Sequence, residues 1–281
     1  QDEFRKVEEE KIEPILEPSD LKIFDLPSNW FPLDCSLTQI NSFKEVYKYL
    51  IDRKVMSQDQ ILSFGLRYDP ATKRVIFPVF VEKNKVVGYQ GRDITNRWKQ
   101  DHPKCQDFKC RLFHKYYFKG ELIAPKTCPA CGGLIEDSFY PKSINSKNFP
   151  KSYLFFNQQN VDWNKPIAIV EGPFDCINTP NSIGLLGRTL SETQFFNIVK
   201  ITQKINNLYL KFYLDGDNAG TFSTDDLYIK LRQFVPNIGM CFLEDGDDPG
   251  AHSLEENSLR LNSIISPMEW YSRKNKMFPF M

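Results

Sequence analysis

The chain has no net charge: 36 Lys and Arg offset 36 Asp and Glu over 281 residues. A uniformly basic, unselective nucleic-acid surface is therefore excluded. No apolar run approaches the ~18 residues of a membrane-spanning helix, and no basic-then-apolar leader opens the chain. An intracellular protein with no membrane partner is expected. Internal repeats and long low-complexity runs are missing as well. So is a paired set of cysteines. There are seven, four of them clustered, which argues against a disulfide framework and for a reducing compartment with metal binding. The first residue is Gln1 rather than Met, as expected of a fragment.

What is present fits a folded enzyme-sized chain. The apolar fraction is 41% and there are 23 Phe, enough for a substantial core. The charge is unevenly spread. Residues 1–20 are acidic, whereas residues 92–119 carry Arg92, Arg97, Lys99, Lys104, Lys109 and Arg111 against few acids. A neutral total can thus hide a basic groove beside an acidic site, or simply reflect a solvated surface.

Residues 1–40 are broken by Pro14, Pro18, Pro27 and Pro32 and read as an arm or linker. Residues 41–164 form a first unit. In it Phe43, Val46, Tyr47 and Leu50 share a helical face, Ser57 opens a second short helix, and two strands (74–81 and 86–92) make a hairpin. From residue 165 to about 250, short apolar runs alternate with helical segments, which predicts a parallel sheet with helices on both faces. Ser191 with Gln194 reads as a capping box opening one of those helices. Residues 251–281 are a helical, then basic tail. The fold class expected is α/β: an α+β amino-terminal unit followed by an α/β sheet.

Three acid clusters follow three of the apolar runs. Ile167-Ala168-Ile169-Val170 leads into Glu171 and Asp175. Residues 208–214 lead into Asp215-Gly216-Asp217, and residues 238–243 into Glu244-Asp245-Gly246-Asp247-Asp248. In open α/β sheets ligands bind at the carboxyl ends of the strands. Carboxylates gathered there suit Mg²⁺, which takes oxygen ligands and usually shares them with substrate phosphates. Gly216 is expected to let the backbone turn so that Asp215 and Asp217 converge. Glu171 reads as a ligand or a general acid/base.

These residues resemble a known family. Glu-Gly after a strand, then Asp-Gly-Asp-Asn-Ala-Gly, then Asp-Gly-Asp-Asp-Pro are similar to the Toprim domain of bacterial-type primases, topoisomerases and some nucleases. Residues 74–78, 87–92 and 151–157 resemble the amino-terminal subdomain of the DnaG-like primase core, and Glu-Gly-Pro-Phe-Asp leans towards phage-type relatives. The resemblance implies a primase catalytic core with a Toprim sheet. Glu171, Asp215 and Asp217 would be catalytic. Glu171, Asp175, Asp215, Asp217, Asp245 and Asp247 would hold Mg²⁺ or Mn²⁺, with Asp248 a further candidate. Arg74, Arg92, Lys142 and Arg188 would hold nucleotide or nucleic acid. It also implies a single-stranded DNA template, nucleoside triphosphates and an RNA primer as partners. The location would be the bacterial cytoplasm, or the host cytoplasm if phage-encoded. The family's zinc-binding domain ahead of the core and its helicase-binding region after it have no counterpart in these 281 residues. A replicative helicase and a separate zinc-binding domain are therefore expected partners. A Toprim-type nuclease and a non-catalytic nucleic-acid-binding subunit are the alternative readings.

The clustered cysteines interrupt the first unit at about residues 102–141. Cys128-Pro129-Ala130-Cys131-Gly132-Gly133 has the spacing of a zinc knuckle, and Cys105 with Cys110 offers a second pair. A zinc-ribbon-like insert is expected, with His102 or His114 able to replace one thiolate. Its aromatic and basic residues suit single-stranded nucleic acid, or docking on a partner protein.

Overall fold

The computed structural model describes residues 21–82, 84–96, 117–118, 121–122, 141–205 and 207–277. The expected zinc ligands Cys105, Cys110, Cys128 and Cys131, with His102 and His114, lie outside the described residues.

The described residues form two larger sheets and one two-stranded sheet. The first holds five strands, β1 (Phe31–Pro32), β2 (Arg67–Asp69), β3 (Arg74–Glu82), β4 (Lys85–Asp93) and β7 (Ser143–Asn145), antiparallel in the order β1-β2-β3-β4-β7. The β3–β4 hairpin is the one read from the sequence, and Asn84 takes the positive φ of its turn. Two short strands between β4 and β7, β5 (Tyr117–Phe118) and β6 (Glu121–Leu122), pair with each other. Helices α1 (Leu37–Ser42), α2 (Lys44–Asp52) and α3 (Gln58–Ser63) fall in the first half of the chain. The helical face read from Phe43, Val46, Tyr47 and Leu50 belongs to α2, with Phe43 at its N-cap. Helix α1 lies ahead of it, mostly in the stretch read as an arm, and Phe43, with a φ of -125°, ends α1 and opens α2. Ser57 and Gln60 form a reciprocal capping box at α3.

The second sheet is parallel, in the order β11-β10-β8-β9. Its strands are β8 (Ile167–Val170), β9 (Ser182–Gly184), β10 (Tyr209–Phe212) and β11 (Asn237–Met240). Between them run α4 (Pro173–Ile177), α5 (Glu192–Lys204) and α6 (Asn218–Leu231); α7 (Leu254–Asn262) and α8 (Pro267–Met277) follow β11. All four residues of β8 are buried, as a central parallel strand requires. The order reverses between β8 and β10, because the chain steps from β8 out to β9 and then crosses back. That reversal opens a crevice at the strands' carboxyl ends.

The seam between the sheets is aromatic. Phe77 of β3 meets Phe174 of α4 edge-on, with ring centroids 4.9 Å apart, and Phe156 stacks on Phe64 at 5.7 Å. Phe77, Phe156 and Phe174 are each at most 5% exposed. Burying a side chain of this size is worth roughly 1.5–3 kcal/mol. The short helix α4, which carries Asp175, is therefore fixed from below by the first sheet. A second core lies around the parallel sheet, with Ile198, Leu227, Leu231 and Trp270 packed against its strands. Among the described residues no helix is long and apolar enough to cross a membrane.

Candidate metal and active site

The crevice collects carboxylates from three segments. Asp175 stands in the first turn of α4, Asp215 follows β10, and Asp248 closes the loop after β11. One carboxylate oxygen from each lies within 4.8 Å of the others. At an effective dielectric of about 20, two full charges that close repel by roughly 3 kcal/mol. Their protonation reflects this. Burial first, then the charges of Asp248 and Asp215, raise the Asp175 pKa well above the carboxylate range. Asp215 is pushed up to about 6 by burial, Asp248 and Asp217, against the opposing pull of Arg53 and Lys142.

Glu171 stands directly after β8, beside the β10 end. Burial, then Asp215 and Asp217, push its pKa up to about 7, although the Asp215 backbone N–H donates to it. Glu171 Oε1 and Asp215 Oδ1 are both buried without a hydrogen-bond partner. An orphaned buried carboxylate oxygen is costly unless a cation completes it. Oxygen-only donors, two of them unsatisfied and crowded among like charges, fit a hard divalent cation.

Glycines permit the crowding. A Cβ on Gly216 would stand 1.9 Å from the Glu244 carbonyl oxygen, so only glycine lets the two loops touch there. Its φ is not in the left-handed region; close approach, rather than the turn read from the sequence, is the reason for glycine. A Cβ on Gly250 would meet Asp175 Oδ1 at 2.5 Å and Asp248 Oδ1 at 2.9 Å.

The other acids named from the sequence are placed differently. Asp217 is exposed and caps α6, accepting from the Gly220 N–H at 2.7 Å; it reaches the group through its charge. Asp245 is exposed on the loop. Asp247 is turned away: its carboxylate accepts from Arg260 at 2.7 Å and lies 2.5 Å from His252 Nε2. Its neighbour Asp248 takes the place in the cluster, with Oδ1 capping Pro249–Ala251. The signal was Asp248-Pro249, an N-cap followed by Pro at the first helical position.

Basic side chains surround the acids. Arg53, at the end of α2, comes from the other sheet's side. Its guanidinium lies 3.8 Å from Asp248 and 4.9 Å above the Phe174 ring. No local pattern marks Arg53, since a lone basic residue at a helix end reads as a partner of the helix dipole. Lys142 sits in the field of both signs. Burial and the nearby Arg92 and Arg53 lower its pKa, while Asp248 and Asp215 oppose this. Arg92 donates to Ser143 at 3.2 Å, and Arg188 is exposed within reach of the Glu171 charge. Arg74 is different. It is 2% exposed, and its guanidinium donates to the Gly91, Pro141 and Lys142 carbonyls. It anchors the Lys142 segment from within the protein. Cys176 and Cys241 are buried and Cys35 half-buried, all as free thiols.

No family model matches the sequence, and no curated protein matches it. Solved structures do. A DnaG primase catalytic domain bound to single-stranded DNA is similar over 83% of this chain and 75% of its own, with TM-score 0.53 and 14% identity. A DnaG catalytic core is similar over 80% and 76%, with TM-score 0.51 and 17% identity. The RNA polymerase domain of Mycobacterium tuberculosis primase DnaG is similar over 80% and 76%, with TM-score 0.52 and 14% identity. The antiparallel sheet seated against a parallel one is thus the fold of the DnaG primase catalytic core.

Proposed function

We propose that this chain is a DNA primase core, a nucleotidyltransferase that builds short RNA primers on a single-stranded DNA template. The observation that carries the reading is the convergence of Asp175, Asp215 and Asp248 at the strand reversal of a primase-like fold. The segments following β8, β10 and β11 correspond to a Toprim domain. Asp175, Asp215 and Asp248 would hold Mg²⁺ or Mn²⁺, with Glu171 and Asp217 completing the acidic set. When bound, the ion supplies positive charge against the phosphate oxygens and Lewis acidity at the reacting phosphorus.

The chain's own residues do the rest. Arg53, Lys142, Arg92 and Arg188 form a positive rim that suits a triphosphate. The primer 3′ oxygen attacks the α-phosphorus, the bond to the β-phosphate breaks, and pyrophosphate leaves. Glu171, beside Asp215 at the end of β8, would take the proton from that hydroxyl as the general base. Cys105, Cys110, Cys128 and Cys131 would hold one structural Zn²⁺. A helicase and a separate zinc-binding domain would supply loading and start-site choice.

The test is primer synthesis. Single-stranded DNA, labelled ribonucleoside triphosphates and Mg²⁺ should give short RNA products, with a separate zinc-binding domain added if initiation needs it. Asp175→Asn should abolish the products while leaving DNA binding intact. Strand cutting without synthesis would favour a nuclease instead.

A further inference from the structure

The acidic cluster has a neutral counterpart beneath it. Asn178 and Asn257 are both 0% exposed. Asn178 ends α4, three residues after Asp175. Its Nδ2 donates to the Arg53 carbonyl at 2.8 Å and the Gly250 carbonyl at 3.3 Å, and its Oδ1 accepts from Gln60 Nε2 at 3.2 Å. Asn257 of α7 donates at 2.8 Å to the carbonyls of both Asn178 and Pro249. Tyr213, two residues before Asp215, donates to Asn257 Oδ1 at 2.6 Å.

Each element of the site is therefore tied to one buried chain of amides. Asp175, Asp215, Asp248 and Arg53 all lie within three residues of an atom in it. The three carboxylates repel one another when ionised, so their loops would tend to spread before an ion arrives. Buried, mutually satisfied hydrogen bonds are stiff and costly to break. Asn at position 178 supplies two donors and one acceptor without adding charge. Asp would lose the donors and Leu would lose both.

We infer that Asn178 is a positioning residue for the metal site, holding the Asp175, Asp248 and Arg53 segments at ligating distance through the Asn178–Asn257–Tyr213 network. This rests on the reading of the triad as a cation site. Residues that orient metal ligands from behind commonly change affinity by about 10–100-fold when altered.

The test uses the full chain and Mn²⁺ itself as probe, with free ion read by electron paramagnetic resonance. Asn178→Leu should bind Mn²⁺ at least about tenfold more weakly than the unaltered chain. Asn178→Ser, which keeps one hydroxyl, should fall between them. Gln194→Leu is the control. Gln194 is also a buried amide, 1% exposed, donating to the Leu154 and Leu185 carbonyls rather than to the segments of Asp175, Asp248 and Arg53. It should lower the unfolding midpoint comparably and leave Mn²⁺ affinity unchanged. Should Asn178→Leu not fold, Asn178→Ser and Asn257→Ala decide. Wild-type affinity in the folded Asn178 variants, or equal weakening in Gln194→Leu, overturns the inference. No Mn²⁺ binding by the unaltered chain overturns the cation-site reading itself and the inference with it. Mn²⁺ binding without primer synthesis removes only the primase reading.

Discussion

Replacing Asp215 by Asn should make the metal-free protein more stable and the metal-bound protein less so. Asp215 is the acid shared by the Asp175–Asp248 group and by Glu171. Its pKa rises from 3.8 to about 6 on folding, with burial the main cause. At about 1.4 kcal/mol per pH unit, that displacement corresponds to roughly 3 kcal/mol of folded-state destabilisation once the group is ionised. The sign follows from linkage. Between pH 4 and 6 the folded state holds a proton that the unfolded state has released, so stability falls as pH rises through that window. Asn carries no such penalty. In EDTA at pH 8, Asp215→Asn should therefore unfold at a temperature about 5 °C higher than the parent. Below about pH 4, where Asp is protonated in both states, the advantage should shrink to nothing. Mg²⁺ at about one thousand times its dissociation constant should reverse the order, since the parent then gains about 4.1 kcal/mol. Differential scanning fluorimetry across pH, with EDTA or Mg²⁺, reads all of this. Equal midpoints at pH 8 in EDTA, or equal stabilisation of both proteins by Mg²⁺, would refute the reasoning.

Neighbouring acids should separate cleanly. Asp248→Ala should abolish stabilisation by Mg²⁺, whereas Asp247→Ala should keep it and lose about 1–3 kcal/mol of stability by stranding Arg260 and His252, as thermal scans with and without Mg²⁺ would read. Arg74→Met should cost about 3 kcal/mol or more of unfolding free energy in urea titrations, because three carbonyls lose a charged donor. Its effect on DNA affinity should be no larger than that of the stability loss. Mass spectrometry under native conditions should find one Zn²⁺ per chain, lost in Cys128→Ser with Cys131→Ser.

The apolar runs and capping boxes were legible because they are local. The β3–β4 hairpin, the parallel rhythm after residue 165, and Ser191 with Gln194 at the start of α5 all follow from patterns within a few residues. The strand order was not, since nothing local says that β10 returns to lie beside β8. That one pairing brings Glu171 next to Asp215. The choice between Asp247 and Asp248 depended on Arg260 and His252, which reach back from later in the chain. Arg53 was invisible for the same reason: it joins the site across more than a hundred residues, through the packing of α2 and α3 against α4. Arg74 reads as a phosphate binder from its strand-end position. Only the β4–β7 pairing reveals that its guanidinium is buried among carbonyls.

An anomalous-difference map from crystals soaked in Mn²⁺ tests the central claim most directly. A peak ligated by Asp175, Asp215 and Asp248 is the expected result. A map with no peak there, or with the ion held elsewhere while these carboxylates stay apart from it, would contradict the account.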